Sequence, residues 1–225
     1  MEMIYKEHLT RQADIIDVKA IEQLSVVVIG CGAIGSFATL ALAKMGVERI
    51  KAYDPDTVDI VNISNQFYRF KDIGTKKATA LKDIVHDFTG VNIEAYPVAV
   101  TPEGKIYADV VVMAVDSMKV RAELFKIVHA KYLIDTRMAA EKYTQYVVDM
   151  RSMSSKESYE KTLYTDSEAV QEVCTAKSTI YTALVSGSMV CKAVKNIVAK
   201  EPHPKTILMD LKQSSNNMLM FTKEK

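Results

Sequence analysis

A glycine pattern between an apolar run and an alanine-rich segment is the feature of this chain that most directly suggests chemistry. Gly30-Cys31-Gly32-Ala33-Ile34-Gly35 has the form G-x-G-x-x-G. The first glycine permits a tight turn, the second lets the backbone approach a phosphate, and the third lets helix and strand pack closely. A helix beginning here would offer free N–H groups and a partial positive charge to an anion. The pattern predicts a nucleotide site, although a purely structural glycine turn would have the same spacing.

A carboxylate follows at the distance that such a site needs. Asp54 directly follows a short strand predicted at residues 49–53. It lies close to the position, about 20 residues past the glycines, where a carboxylate hydrogen-bonds ribose hydroxyls. Together the two features predict an adenosine nucleotide. They leave a nicotinamide dehydrogenase and an ATP-dependent enzyme equally open.

The elements that must position these residues alternate along the first two-thirds of the chain, as in a parallel sheet covered by helices. Apolar and β-branched runs predict strands, and helical spacing of apolar residues predicts helices. The predicted strands are 24–29, 49–53, 92–100, 110–115, 132–135 and 145–149, and the predicted helices are 34–45, 77–88 and 120–128. The fold class is therefore α/β, with a Rossmann-like, mostly parallel sheet flanked by helices.

The last third of the chain has a different character. Residues 151–172 are polar and weakly periodic, a long helix follows at 179–200, and two short strands are predicted at 206–210 and 217–221. We predict a single domain over residues 1–225. It comprises an N-terminal arm or helix (1–22), a nucleotide-binding core (23–150), a crossover loop (151–178), and a long helix with a small C-terminal β extension (179–225).

Composition narrows the function classes. Of the 225 residues, 48% are apolar and 25% are charged, which is ordinary for a globular domain. A net charge of +1 provides no field to attract nucleic acid or a membrane surface, and neither a membrane span nor a secretory signal is evident. Three cysteines without a close pair argue against disulfides and fit a cytoplasmic protein. The absence of any CxxC pair argues against a structural zinc site.

Several motifs in order give a more specific indication. VVVIGCGAIGS, YDPDTVDIVNISNQF, IGTKKATAL and VDSMKVR resemble the ThiF/MoeB/HesA superfamily of ubiquitin-activating-type adenylyltransferases, over residues 10–199. The resemblance implies an ATP- and Mg²⁺-dependent enzyme that activates a carboxylate as its acyl-adenylate. The implied substrate is the C-terminus of a ubiquitin-like or sulfur-carrier protein, and the implied assembly is a homodimer.

The resemblance also implies roles for individual residues. Asp54 would bind the ribose, Lys77 would neutralise the triphosphate, Asp116 would hold Mg²⁺, and Arg11 would reach ATP in a partner subunit. The implied nucleotide-binding residues are Gly30, Gly32, Ala33, Ile34, Gly35, Asp54, Asp56, Asn62, Asn65, Gln66 and Lys77. A lysine, a metal-binding carboxylate and a helix N-terminus are what adenylation requires. Two alternatives stay open: Asp116 could cap the next helix, and Lys76 leaves the lysine register uncertain by one.

One position departs from the family pattern. Asn65 stands where the family usually has an arginine that contacts the triphosphate, and an amide does not replace a permanently charged, planar donor. Arg69, a few residues on, could take its place, or a partner subunit could supply the charge. Otherwise catalysis would be slow.

Cys174, between the polar segment and the long helix, is a candidate catalytic thiol. Some eukaryotic members of the family have their thioester-forming cysteine at the matching position, and a cysteine before a helix with Lys177 nearby can have a lowered pKa. A half-buried structural cysteine is an equally good interpretation. Arg137 could hold the incoming carboxylate or a phosphate, or it could pair with Asp135 or Glu141.

Other functions compete with this hypothesis. The adenylated substrate could be a small molecule, a peptide or a tRNA base, although the near-neutral charge speaks mildly against RNA. The chain could instead be a catalytically weak ATP-binding partner subunit, which the loss of arginine at Asn65 would favour. A nicotinamide-dependent oxidoreductase ranks last.

Overall fold

A mixed sheet organises the molecule. The computed structural model describes residues 7–164, 178–212 and 220–222, and in this part of the chain eight strands form one sheet in the order β3-β2-β1-β4-β5-β6-β7-β8. The strands are β1 (Ser25–Ile29), β2 (Arg49–Tyr53), β3 (Glu94–Tyr96), β4 (Ile106–Met113), β5 (Val128–Ala139), β6 (Lys142–Asp149), β7 (Thr206–Asp210) and β8 (Met220–Thr222). The helices are α1 (Val18–Glu22), α2 (Ala33–Lys44), α3 (Lys77–Thr89), α4 (Met118–Ile127), α5 (Met153–Glu160) and α6 (Ile180–Val198).

The sheet has two halves. Strands β3, β2, β1, β4 and β5 pair in parallel, whereas β6, β7 and β8 continue from β5 in antiparallel pairs. The predicted Rossmann-like α/β fold is therefore confirmed, and so is the pair of C-terminal strands as an extension of the same sheet.

Helices cover both faces of the central strands, which explains their unbroken apolar sequence. Val26 and Val28 of β1 belong to the core that contains residues of α1, α2, α3 and α6. Val27 and Ile29 belong to the opposite core, which includes residues of α4 and α5. Because successive side chains of a strand point to opposite faces, both sets must be apolar.

Glycines end two of these helices where the sequence predicts it. Gly46 follows α2 with a φ of 102°, and Gly90 follows α3 with a φ of 75°. Both values lie in the left-handed region that glycine adopts without strain.

Several predicted boundaries are wrong. The strand predicted at 132–135 is the 12-residue β5, which begins at Val128, the last residue of the helix predicted at 120–128. The third strand, predicted at residues 92–100, is only Glu94–Tyr96, an edge strand that stops before Pro97, since proline has no N–H to donate to the ladder. The crossover loop predicted at 151–178 contains α5, which Ser152 caps by accepting from the backbone of Ser155. Tyr159 is the one buried residue of α5, so this helix has almost no apolar stripe for periodicity to detect. Residues 165–177 and 213–219 lie outside the described residues.

None of the helices within the described ranges is long and apolar enough to cross a membrane.

Candidate nucleotide-binding site

The glycine loop between β1 and α2 is shaped by close backbone contacts. Gly30 has a φ of 92°, and a Cβ there would lie 2.6 Å from the carbonyl oxygen of Ala114. A Cβ at Gly35 would lie 1.8 Å from the carbonyl oxygen of Gly30. At Gly32, in contrast, a Cβ would meet nothing within 4 Å. Gly30 and Gly35 therefore allow the loop to pack closely, and Gly32 leaves open space beside the loop.

That space lies at the amino end of α2. Gly32 is the residue that precedes the helix, and no side chain caps it. The first-turn N–H groups of a helix have no partner within the helix and carry a partial positive charge. An uncapped helix end behind an open glycine is suited to bind a phosphate.

The position of this loop in the sheet is also that of a ligand site. β1 lies between β2 and β4, so the chain leaves β1 towards one side of the sheet and β4 lies on the other. Ligands of open α/β sheets bind at the carboxyl ends of the strands where the order reverses in this way. The glycine loop follows β1 at this end, and the residues after β4 lie beside it, as the Gly30–Ala114 contact demonstrates.

Asp116 lies in the connection from β4 to α4, two residues beyond Ala114, and its side chain is exposed. Ser117, not Asp116, caps α4, since its hydroxyl accepts from the backbone N–H of Val120 at 3.3 Å. The alternative that Asp116 is the cap is therefore wrong. Its carboxylate remains available at the carboxyl end of β4.

Asp54 is built into the glycine loop. Its carboxylate accepts from the N–H of Cys31 at 2.6 Å and from the N–H of Asp56 at 2.8 Å, and the residue is buried. Each carboxylate oxygen can accept more than one hydrogen bond. Whether a ribose also binds here stays a prediction, but Asp54 clearly shapes the loop.

Lys77 opens α3 next to the glycine loop. The hydroxyl of Tyr68 donates to the carbonyl oxygen of Cys31 at 2.7 Å and contacts that of Lys77 at 3.4 Å, which brings the two segments together. The Lys77 side chain is only 9% exposed, and its Nζ donates to Asp56 Oδ2 at 2.8 Å. Lys76 is exposed and donates to the carbonyl oxygen of Pro55. Of the two lysines, Lys77 is the one held against the site.

The segment between Asp54 and Lys77 carries the polar side chains that the motif singles out. Asn62 accepts from the N–H of Asp59 and so fixes a short turn. Asn65 contacts the hydroxyl of Ser178 at 2.5 Å, and the N–H of Phe67 donates to Ser36 of α2. This segment is therefore tied to α2 and to Ser178, two residues before α6.

Two amide oxygens in this segment have no partner. Asn65 Oδ1 and Gln66 Oε1 are buried and accept no hydrogen bond within the described structure. A buried polar atom without a partner costs free energy, so such atoms call for an explanation. Here they lie where the sequence predicts nucleotide contacts.

Arg69, the candidate replacement for the missing arginine, is held by two carboxylates. Its guanidinium pairs with Asp72 at 2.9 Å and with Asp87 of α3 at 2.6 Å. Three of its nitrogens donate to these two carboxylates. Arg69 would have to leave both carboxylates to serve the triphosphate, so that role stays a prediction.

Arg11 lies at the wrong end of α2 to serve its own glycine loop. The neighbouring Gln12 donates to the carbonyl oxygen of Lys44, the last residue of α2. A helix of 12 residues is about 18 Å long, and the glycine loop is at its other end. The exposed side chain of Arg11 is therefore free to act elsewhere.

Arg121, Asp135 and Arg137 form a buried charge cluster next to the backbone that precedes Asp116. The sequence analysis assigned no role to Arg121. Arg121 of α4 pairs with Asp135 and donates to the carbonyl oxygen of Val115. Arg137 pairs with the other oxygen of Asp135 at 2.8 Å and donates to Thr162. The ion-pair alternative for Arg137 is thus the one observed. Arg121 stands in the VDSMKVR motif, five residues after Asp116, and its place in that motif was the available signal.

The two described cysteines are buried. Burial raises the pKa of the Cys31 thiol well above its usual value, with Asp54 adding to the rise and Lys77 opposing it. Burial likewise raises the pKa of Cys191 to about 12. Both thiols are therefore protonated and unreactive at neutral pH. Cys174 lies outside the described residues.

Comparisons with known proteins agree with this geometry. A family model described as the ThiF family matches residues 5–225. Ubiquitin-like modifier-activating enzyme 5 of Oryza sativa subsp. japonica is 30% identical over 97 residues, which cover 41% of this chain and 22% of that protein. The tRNA threonylcarbamoyladenosine dehydratase of Bacillus subtilis is 37% identical over 70 residues, or 31% of this chain and 28% of that protein. The matched stretches span about a quarter of each of these relatives.

Solved structures with the same fold cover more of the chain. PaaA superimposes with a TM-score of 0.72 at 16% identity, over 96% of this chain and 74% of that chain. MccB of E. coli, solved with ATP, superimposes with a TM-score of 0.67 at 15% identity, over 90% of this chain and 66% of that chain. At these identities the similarity establishes the fold.

Proposed function

Because the chain belongs to the ThiF family, we propose that it is an ATP-dependent adenylyltransferase. It would activate the C-terminal carboxylate of a ubiquitin-like or sulfur-carrier protein as an acyl-adenylate. The observation that carries the proposal is the uncapped amino end of α2, where Gly32 faces open space and is flanked by the segments that bear Lys77 and Asp116.

The reaction needs few groups, and the site offers them. An oxygen of the acceptor carboxylate attacks the α-phosphorus, the bond from that phosphorus to the bridging oxygen breaks, and pyrophosphate leaves with the electron pair. The amino end of α2 would hold the phosphates, and Lys77 would neutralise charge on the leaving group once it loosens from Asp56. The buried carboxylate of Asp54 would keep the loop in its phosphate-binding shape.

The residues present fit a magnesium ion carried in with the triphosphate. Mg²⁺ is usually bound through one or two carboxylates plus substrate phosphates, and Asp116 presents one exposed carboxylate beside the loop. Across the described ranges no group of three His, Cys, Asp or Glu side chains could hold a metal alone, so the phosphates would supply the remaining ligands. When bound, the ion would screen the negative charge of the phosphates.

A second copy of the chain would complete the site. In the described structure the arginines of the β4–α4 and β5 region, Arg121 and Arg137, are already paired with Asp135, and Arg69 is paired with Asp72 and Asp87. Beyond Lys77, a triphosphate therefore still needs positive charge, which Arg11 of a second copy would supply. This is the reason to propose a homodimer.

The acceptor is inferred from relatives. Two of them are named as activating enzymes for ubiquitin-like modifiers, namely ubiquitin-like modifier-activating enzyme 5 and the NEDD8-activating enzyme catalytic subunit. A later thioester at Cys174 and a cytoplasmic location remain predictions. The second candidate function, an ATP-binding partner subunit with little turnover, is favoured by Asn65 and by the paired cations around the loop.

Pyrophosphate exchange tests the proposal. With Mg²⁺ and a correct carrier protein, the chain should incorporate labelled pyrophosphate into ATP, and removing the last residue of the carrier should abolish it. Tight ATP binding without exchange for any carrier would favour the partner-subunit function. Capture with a vinyl-sulfonamide adenylate mimic of each carrier would identify the acceptor and would reveal an adduct at Cys174 or its absence.

A further inference from the structure

The connection from β4 to α4 is hydrogen-bonded to a buried cluster of Arg121, Asp135 and Arg137. Arg121 is 4% exposed and Asp135 is 0% exposed. Arg121 Nη1 donates to Asp135 Oδ1, while Nη2 donates to the carbonyl oxygens of Val115 and, at 2.8 Å, of Thr136. One guanidinium thus joins a carboxylate of β5 to the backbone immediately before Asp116.

The backbone that Arg121 binds lies directly beside the glycine loop. Ala114, which precedes Val115, donates its N–H to the carbonyl oxygen of Ile29 at 2.8 Å. The carbonyl oxygen of Ala114 packs against Gly30 so closely that a Cβ on Gly30 would lie 2.6 Å from it. The backbone around Ala114 is therefore fixed by the glycine loop on one side and by Arg121 on the other.

Asp135 is held in place by a second cation. Arg137 Nε donates to Asp135 Oδ2 at 2.8 Å, its other nitrogens donate to Thr162, and its guanidinium stacks on Tyr146 at 4.5 Å. Arg121 and Arg137 thus share one fully buried carboxylate, but only Arg121 contacts the backbone next to Asp116.

We propose that Arg121 is a positioning residue, which sets the backbone at Val115 so that the Asp116 carboxylate faces the glycine loop. The planar fork of arginine is needed because one side chain must bind a carboxylate and two carbonyl oxygens at once. The role in turnover rests on the proposed function. The role in holding the loop can be tested without ATP.

The variants are Arg121→Lys, which keeps the charge opposite Asp135 but loses the fork, and Arg137→Gln as the matched control. The control removes a guanidinium from the same carboxylate without touching Val115. Melting temperatures establish that both variants fold. In the protein labelled with ¹⁵N-glycine and without nucleotide, Arg121→Lys should shift the Gly30 amide signal, whereas Arg137→Gln should leave it in place, with Gly90 as the unaffected reference.

Turnover provides the second test. Arg121→Lys should lower pyrophosphate exchange about 100-fold, the order expected when a reacting group is displaced by about 1 Å. In an Asp116→Asn background the same change should cost nothing further, because Arg121 acts through Asp116. Additive losses, an equal loss from Arg137→Gln, or an unmoved Gly30 signal in Arg121→Lys would each overturn the proposal. If the wild-type protein shows no exchange, the proposed function fails, and the Gly30 signal alone decides the role of Arg121.

Discussion

The two ends of the parallel strands are built for different purposes. At the carboxyl ends of β1 and β4, the backbone of the glycine loop is open, the helix end is uncapped, and Asp116 is exposed. Towards the amino side of the sheet, at the start of β1, Asp109 of β4 accepts hydrogen bonds from the backbone and hydroxyl of Ser25 and pairs with Lys131. The groups offered at the carboxyl ends are open to a ligand, whereas Asp109 is already fully engaged in the fold, so substitutions at the two places should have separable effects.

The clearest separation between an effect on stability and an effect on ATP binding should come from substitutions of Gly35 and Gly32 in the same loop. Gly35→Ala places a methyl 1.8 Å from the Gly30 carbonyl oxygen, which the fold cannot absorb, so we expect a loss of about 3 kcal/mol or more of unfolding free energy. Gly32→Ala meets no atom within 4 Å. It should therefore fold normally but lose ATP affinity, since the methyl occupies the phosphate position.

Thermal denaturation and ATP titration measure both effects. If Gly32→Ala bound ATP as well as the wild type does, the open space in front of α2 would not be the phosphate site.

Asp116→Asn should abolish most turnover without affecting the fold. The side chain is exposed, so the melting temperature should be unchanged, while pyrophosphate exchange falls about 100-fold or more through loss of the metal-binding charge. Glu103→Gln, an exposed change in the connection before β4, is the control and should stay within about twofold. Full exchange by Asp116→Asn would remove this residue from the site.

Substitutions of Lys77 and Lys76 should have a smaller effect, which is confined to ATP affinity. Lys77→Met should weaken ATP binding about tenfold, the value of one charge-assisted contact to a phosphate. Lys76→Met should change it by less than about twofold, because Lys76 is exposed and contacts Pro55. Calorimetric titration with ATP measures both, and the reverse order would mean that the register is wrong by one residue.

The smallest effect belongs to Asp109, beside the start of β1. Burial alone would raise the pKa of Asp109, but hydrogen bonds from Lys131 and Ser25 outweigh it and lower the pKa to about 2. A carboxylate whose pKa is lowered by folding stabilises the protein above its unfolded pKa of about 4. That contribution is lost as the pH falls from about 4 to about 2.

Asp109→Asn should therefore cost about 1 kcal/mol at pH 7, as for a partly exposed pair, and only a small part of that at pH 2, where the carboxylate is half protonated, with pyrophosphate exchange unchanged. Urea denaturation at a series of pH values measures the difference, with the exposed Asp83→Asn as control. A pH-independent difference would contradict the assignment of the lowered pKa.

The same contrast explains what the sequence could predict. The loop at Gly30 to Gly35, the carboxylate at Asp54 and the lysine at Lys77 depend on local spacing, so their positions follow from the order of strand, turn and helix. The cluster of Arg121, Asp135 and Arg137 joins β5 to α4, and nothing in local spacing says which cation a buried carboxylate will pair with. Helix α5 was missed for a similar reason, since its one buried residue, Tyr159, gives no periodic signal.

Amide signals of the glycines test the central claim most directly. The chain has eight glycines, so the ¹⁵N-glycine-labelled protein gives a short spectrum that can be titrated with a non-hydrolysable ATP analogue and Mg²⁺. Signals of Gly30, Gly32 and Gly35 should move together and saturate, while those of Gly90 and Gly104 stay in place. Saturable binding that leaves these three signals unmoved would contradict the account, because the nucleotide would then bind elsewhere on the molecule.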